Sequence, residues 1–188
     1  MSEWQQTSGI RKVAVYLGSA ETPIPEFRQA VINVANYLAE HDMTLVFGGS
    51  STGMMKLLAD RMLQKNGKVI GVFTRSLPEK LIRNDLTESI ITKDLAERKK
   101  EMLRLADAII ALPGSFGTFD ELFDALAQQK LKKESPCPIG VLNIKGFYDP
   151  LFSLLQNSAD AGFSSGRTLS LLQSGTTPAE LFRKFEKL

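Results

Sequence analysis

A chain of 188 residues, 43% hydrophobic and 23% charged, is long enough for one domain with a substantial buried core. Its 23 Lys and Arg against 21 Asp and Glu leave a formal net charge of +2, too even for a general binder of nucleic acid or membrane surfaces. One cysteine and one histidine exclude an internal disulfide and a His- or Cys-rich zinc site, and no apolar run approaches the roughly 20 residues that span a bilayer.

Residues 1–10 read as a loose N-terminal tail, and residues 11–188 as one domain. Along it, short β-branched runs alternate with amphipathic stretches. Strand Val13–Leu17 precedes helix Glu26–Glu40, and Thr44–Phe47 precedes Met54–Asn66. Strands Lys68–Phe73 and Ser89–Thr92 lead to helix Ala96–Ala106, and Ala108–Leu112 leads to Thr118–Lys132. Ile139–Asn143 precedes Tyr148–Ala161, and Pro178–Leu188 closes the chain with proline in its first turn. The alternation predicts an α/β fold: a Rossmann-like, doubly wound, mostly parallel sheet with helices on both faces. Basic residues bunch at Arg98-Lys99-Lys100 and at Lys130, Lys132 and Lys133, the second group reading as a solvated helix face. Cys137 lacks an obvious base, since His41 falls in a polar helix-to-strand turn. No N-terminal stretch has the pattern of a secretory signal, so a cytoplasmic protein is expected.

Glycines concentrate where strands end. Gly18-Ser19 follows the first strand, Gly48-Gly49-Ser50-Ser51-Thr52-Gly53 the second, and Pro113-Gly114-Ser115-Phe116-Gly117-Thr118 the fifth. Ligands of doubly wound sheets bind at these carboxyl ends. Glycine lets backbone N–H groups approach an anion, Ser and Thr add hydroxyl donors, and a following helix adds unsatisfied N–H groups and its positive end. Three such turns at strand ends point to a phosphorylated small molecule. Neither the Walker spacing nor the G-x-G-x-x-G fingerprint is present, which removes the usual support for an NTPase or a hydride-transfer enzyme.

The segment Arg98-Lys99-Lys100-Glu101-Met102, followed by Ala106–Leu112 and Pro113-Gly114-Ser115-Phe116-Gly117-Thr118-Phe119-Asp120-Glu121, resembles the LOG family. These are the cytokinin riboside 5′-monophosphate phosphoribohydrolases, once mislabelled lysine decarboxylases, with the motif P-G-G-x-G-T-x-x-E preceded by an R-K pair. Similarity runs from Val13 to Leu188 and includes Gly48-Gly49, Gly53-Met54-Met55 and Gly140–Asn143. The resemblance implies hydrolysis of a nucleoside 5′-monophosphate such as AMP to free base and ribose 5-phosphate, without metal or organic cofactor. It assigns catalysis to Arg98 and Glu121, phosphate binding to Gly114, Gly117 and Thr118, and further nucleotide contacts to Ser19, Gly48, Gly49 and Lys99. It also implies a homodimer with each site completed near the interface. The chemistry fits these residue types, because breaking an N-glycosidic bond builds positive charge on the ribose, which a carboxylate can stabilise while activating water. Arg98 is permanently cationic and suits either phosphate or that carboxylate.

The chain departs from the family pattern at Ser115, which replaces the second motif glycine, and at Leu95-Ala96, where the family has Met-His. If position 115 needs φ > 0, serine strains the turn; if not, its hydroxyl is one more phosphate donor. The other reading of the chain is a non-catalytic nucleotide or phosphate-ligand carrier on the same scaffold. A pyridoxal-dependent decarboxylase is set aside, since no Schiff-base lysine with a pyridinium partner can be nominated.

Overall fold

The sequence of β1 (Lys12–Tyr16), Lys-Val-Ala-Val-Tyr, runs apolar without alternation because both faces of the strand are covered. The same holds for β2 (Thr44–Phe47), β3 (Val69–Thr74), β5 (Ala108–Ala111) and β6 (Ile139–Leu142). The computed structural model describes residues 9–131 and 137–188. Among the described residues seven strands form one sheet in the order β4-β3-β2-β1-β5-β6-β7, with β4 (Glu88–Thr92) and β7 (Leu172–Gly175) at the edges. Every strand pairing is parallel.

Successive side chains of a strand serve opposite faces. Val13, Val15 and Leu17 join a core with α1 (Pro25–Glu40), α2 (Gly53–Gln64) and α7 (Pro178–Phe185). Ala14 and Tyr16 join the opposite core with α3 (Leu95–Leu105), α4 (Phe116–Leu131) and the inner residues of α5 (Asp149–Asp160). Helices therefore cover both faces. No helix among the described residues is long and apolar enough to cross a membrane.

Two elements differ from expectation. Strand β7 and the single-turn α6 (Gly166–Leu169) occupy a stretch where the sequence predicts neither strand nor helix. Leu-Gln-Ser-Gly carries no β-branched residue, and it becomes a strand through its pairing with β6, Leu172 opposite Ile139. Helix α4 begins at Phe116 rather than Thr118, so Gly117 lies inside its first turn. At the N-terminus Ile10 is already 5% exposed and part of the first core.

The sheet's switch point lies between β1 and β5. The chain leaves β1 for α1 on one face and leaves β5 for α4 on the other, opening a crevice at the carboxyl edge. The two exit loops touch: a Cβ on Gly18 would sit 3.4 Å from the Gly114 Cα.

Candidate active site

A helix that follows a strand of a parallel sheet starts at the carboxyl edge, so residues in its first turns gather there. Helix α3 starts at the Asp94 cap, whose side chain accepts from the Glu97 N–H at 2.8 Å. Its first turn presents Arg98, and the second turn of α4 presents Glu121. The Arg98 guanidinium Nη2 is hydrogen-bonded and ion-paired to Glu121 Oε1. Glu121 is only 4% exposed and the Arg98 side chain 17%. Burial pushes the Glu121 carboxyl above its ordinary range, and Arg98 opposes that shift. Arg98 Nε is buried with no hydrogen-bond partner among the described residues. The Tyr16 phenol, buried against the same pair, is pushed up by its burial and by the charge of Glu121, so it stays neutral.

The second glycine loop forms the adjoining wall. A Cβ on Gly48 would lie 3.4 Å from Arg98 Nη1 and 3.4 Å from Met55 Cε. Gly49 has φ +78° and packs on Phe73, where a Cβ would come within 2.3 Å of the ring. The loop is tied to the first one, since the Thr52 hydroxyl donates to the Ser19 carbonyl at 3.4 Å. Ser19 itself is exposed beside it.

Next to the ion pair lies a turn whose donors could take an anion, a candidate anion cradle. The first-turn N–H groups of α4 have no carbonyl one turn back, and the ladder begins with Phe119 N–H donating to Ser115 C=O at 3.0 Å. Thr118 is 2% exposed, and its hydroxyl has no partner among the described residues. Gly114 is required by close approach: a Cβ would fall 2.1 Å from Thr118 Oγ1 and 2.9 Å from the Gly18 nitrogen. Gly117 is different, with nothing within 4 Å of its notional Cβ. Lys99 points to the neighbouring face, where Nζ pairs with Asp120 at 2.7 Å, and that bond raises its pKa.

Arg98, Glu121 and Gly48 thus converge on one point, and Gly114, Ser115, Gly117 and Thr118 on the next. An apolar cleft of about 230 Å³ opens beside the same turn, lined by Gly18, Gly114 and Ser115 and walled by Phe27, Val31, Met54 and Phe147. Neither Arg98 nor Glu121 lines it.

A family model described as "Possible lysine decarboxylase" matches residues 55–185. The chain is 35% identical over 186 residues to the cytokinin riboside 5′-monophosphate phosphoribohydrolase LOG of Oryza sativa subsp. japonica, covering 97% of this chain and 76% of that protein. It is 33% identical over 181 residues to the LOG2 enzyme of the same description from Arabidopsis thaliana, covering 96% and 84%. The chain belongs to the LOG family.

Among solved structures it is similar to the molybdenum cofactor binding protein of Rippkaea orientalis, with TM-score 0.70, 20% identity, and coverage of 94% and 96%. The molybdenum cofactor carrier protein of Chlamydomonas reinhardtii gives 0.69 at 18% identity, covering 95% and 99%. At that identity these two likenesses establish the fold alone.

Within this LOG-family chain, the departure at Ser115 is accommodated without strain. The positive-φ residues other than glycine are Asp42, Asn66 and Lys145, so Ser115 is not among them. Its side chain is exposed at the cradle. Sequence reading missed Tyr148 and Arg83. The Tyr148 phenol donates to the Leu112 carbonyl at 2.7 Å, just before the cradle. Arg83, 8% exposed, forks to Asp60 and Asp85 at 2.6 Å each and clamps the β3–β4 segment, whose Leu81 carbonyl accepts from Ser51 N–H at 3.0 Å. Both bonds reach residues distant in sequence or in an irregular segment, where periodicity carries no signal.

Proposed function

We propose that this chain hydrolyses the N-glycosidic bond of a nucleoside 5′-monophosphate, AMP or a cytokinin riboside 5′-monophosphate, to free base and ribose 5-phosphate. The observation that carries the reading is the buried Arg98–Glu121 pair standing beside an anion cradle with an unpartnered Thr118 hydroxyl. The 5′-phosphate binds the first-turn N–H groups of α4 and the Thr118 hydroxyl, with Ser115, Gly117 and Ser19 around it. The ribose then extends toward Glu121, and the base toward Gly48, Gly49 and Arg98. The bond from C1′ to the base breaks, its electron pair leaving with the base, and positive charge builds on the ribose. The Glu121 carboxylate faces that charge and takes a proton from the water that adds to C1′, while the departing base is protonated from solvent. Arg98 orients the carboxylate and keeps enough of it ionised despite burial.

A carrier of phosphorylated ligands would gain nothing from a buried carboxylate next to its anion, since like charge opposes binding. Glu121 therefore favours catalysis over the carrier reading. The decarboxylase description does not fit pyridoxal chemistry either. A Schiff-base lysine needs a lowered pKa, whereas Lys99, beside the pair, is held protonated by Asp120.

The names of the two plant relatives support the reaction class. We place a homodimer contact on the face of α4 that carries Phe116, 90% exposed, and Phe123, 42% exposed. Residues i and i+7 share one helical face, and large exposed apolar side chains grouped this way mark an interface. Leu126 of the same helix lies against the core. The basic group at Lys130, Lys132 and Lys133 falls on side chains outside the described residues. Incubation with AMP and chromatography for adenine tests the activity; intact AMP and intact cytokinin riboside 5′-monophosphate after prolonged incubation would overturn it.

A further inference from the structure

The turn between β6 and α5 has an unusual build. Lys145 and Gly146 stand at φ 54° and 71°, two successive residues in the left-handed region. A Cβ on Gly146 would lie 2.5 Å from Asp149 Oδ2, and its φ is one that glycine adopts without strain. Asn143 fastens the turn from both ends: its Nδ2 donates to Asp149 Oδ1 at 2.6 Å, and its Oδ1 accepts from the Tyr148 N–H at 2.8 Å. Lys145 Nζ crosses to Glu26 of α1 at 2.9 Å, and Phe147 packs edge-on against Phe27 with ring centroids 5.7 Å apart. A backbone held this firmly delivers one side chain inward. Tyr148 is 1% exposed, and its hydroxyl donates to the Leu112 carbonyl 36 residues away.

Leu112 is the hinge of the cradle. It is fully buried, and its N–H donates to the Tyr16 carbonyl at 2.9 Å, ending the ladder to β1. With the N–H bound to β1 and the carbonyl bound to Tyr148, both peptide planes of Leu112 are fixed. The chain after them is Pro113-Gly114-Ser115, whose direction decides where the α4 N–H groups point. Burial raises the phenol pKa, so the hydroxyl remains a donor throughout the working range.

We propose that Tyr148 is a positioning residue for the anion cradle: through the Leu112 carbonyl it sets the Pro113–Thr118 turn in the geometry that binds the substrate's 5′-phosphate. The proposal rests on the cradle described under the proposed function, but not on which base is cleaved or whether cleavage occurs. Tyr148→Phe keeps the ring and removes only the donor.

The test is calorimetric titration of wild type and Tyr148→Phe with ribose 5-phosphate and with adenine, alongside steady-state hydrolysis of AMP. The expected result is a roughly tenfold weaker ribose 5-phosphate Kd and a similar rise in KM for AMP, the scale of one lost hydrogen bond. The adenine Kd stays within about twofold, and kcat within about threefold. A lowered melting temperature with unchanged ribose 5-phosphate affinity would reduce Tyr148 to a packing residue and overturn the proposal. Equal losses for ribose 5-phosphate and adenine would overturn it too, as would failure of the wild type to bind ribose 5-phosphate. Asn143→Ala loosens the turn while keeping the phenol, and supplies the same reading should Tyr148→Phe not fold. If wild type binds ribose 5-phosphate but releases no base, the proposed reaction fails while the phosphate arm still decides on Tyr148.

Discussion

Arg98 and Glu121 stand 23 residues apart in the chain and meet at the carboxyl edge of the sheet, where the carboxylate is 4% exposed. A buried carboxylate paired with a single arginine is poised between two demands. It is stabilised enough to ionise, yet it is not saturated by the several N–H donors that would quench it as a base.

Glu121→Gln is expected to retain fold and nucleotide binding, because the amide oxygen can still accept from Arg98. Turnover of AMP falls by about 100-fold or more, the scale of a lost acid–base or electrostatic contribution. Release of adenine at near wild-type rate by this variant would remove Glu121 from the mechanism.

The pH dependence follows from the same burial. The Glu121 pKa is raised above its ordinary 4.5, so the native state holds its proton over a window beginning there and extending upward. The reactive form is the carboxylate, hence the acid limb of kcat against pH lies above 4.5 and activity rises with pH through it. Stability runs the other way: a raised carboxyl binds its proton more tightly when folded, so its contribution declines as pH climbs through that window. Glu121→Asp should move the acid limb, whereas titration of the substrate phosphate, near pH 6, stays put. A limb that does not move would assign the pH dependence to the phosphate.

For assembly, the exposed face of Phe116 and Phe123 predicts a two-fold dimer. Light scattering should give about twice the 20.8 kDa chain mass. Phe123→Glu, which places a charge on that face and leaves Glu121 untouched, should shift the equilibrium to monomer. A wild-type mass of one chain at every concentration would contradict the contact.

The fold was legible because buried parallel strands leave unbroken apolar runs, and the helices between them keep their period. Edge strand β7 was not, since Leu172–Gly175 has the composition of a turn and gains its structure from β6. At the site, the glycine-rich turns at the strand ends could be read from the residues, whereas the roles of Arg98 and Glu121 entered through family resemblance, with the partner of the arginine open between phosphate and that carboxylate. Nothing local in a sequence ties a helix residue to one 23 positions later. Tyr148 stayed hidden for the same reason, with the added difficulty that its partner is a backbone carbonyl and carries no side-chain signature.

Ser115 poses a question that the backbone now answers. Its φ is not positive, so Ser115→Gly relieves no strain and adds unfolded-state entropy, for a loss of stability of about 0.5–1 kcal/mol. The exposed hydroxyl is free to serve the phosphate. Affinity for AMP should then weaken by about 0.5–1.5 kcal/mol while adenosine binding hardly changes. Calorimetry with AMP and adenosine decides it, and tighter AMP binding by the glycine variant would refute the donor role.

Gly114 and Gly117 bracket that serine and should respond in opposite ways to the same added methyl group. At Gly114 the methyl would collide with Thr118 Oγ1 at 2.1 Å and crowd the Gly18 nitrogen at 2.9 Å, so Gly114→Ala forces apart the two loops that build the switch point. Its cost is steric and appears without any ligand, as a lowered melting temperature. At Gly117 the methyl meets nothing within 4 Å, the residue lies in the first turn of α4, and its φ is ordinary. Alanine there should leave the free protein unchanged or more stable by about 0.5 kcal/mol, since it restricts the unfolded chain at no native strain. The open space above Gly117 is the space a bound phosphate would occupy. Gly117→Ala is therefore expected to melt no lower than wild type and yet bind AMP and ribose 5-phosphate about tenfold more weakly, because the methyl holds the anion away from the helix N–H groups. Thermal melting and calorimetry on the two variants separate these effects. Undiminished ribose 5-phosphate affinity in Gly117→Ala would place the phosphate somewhere other than the first turn of α4.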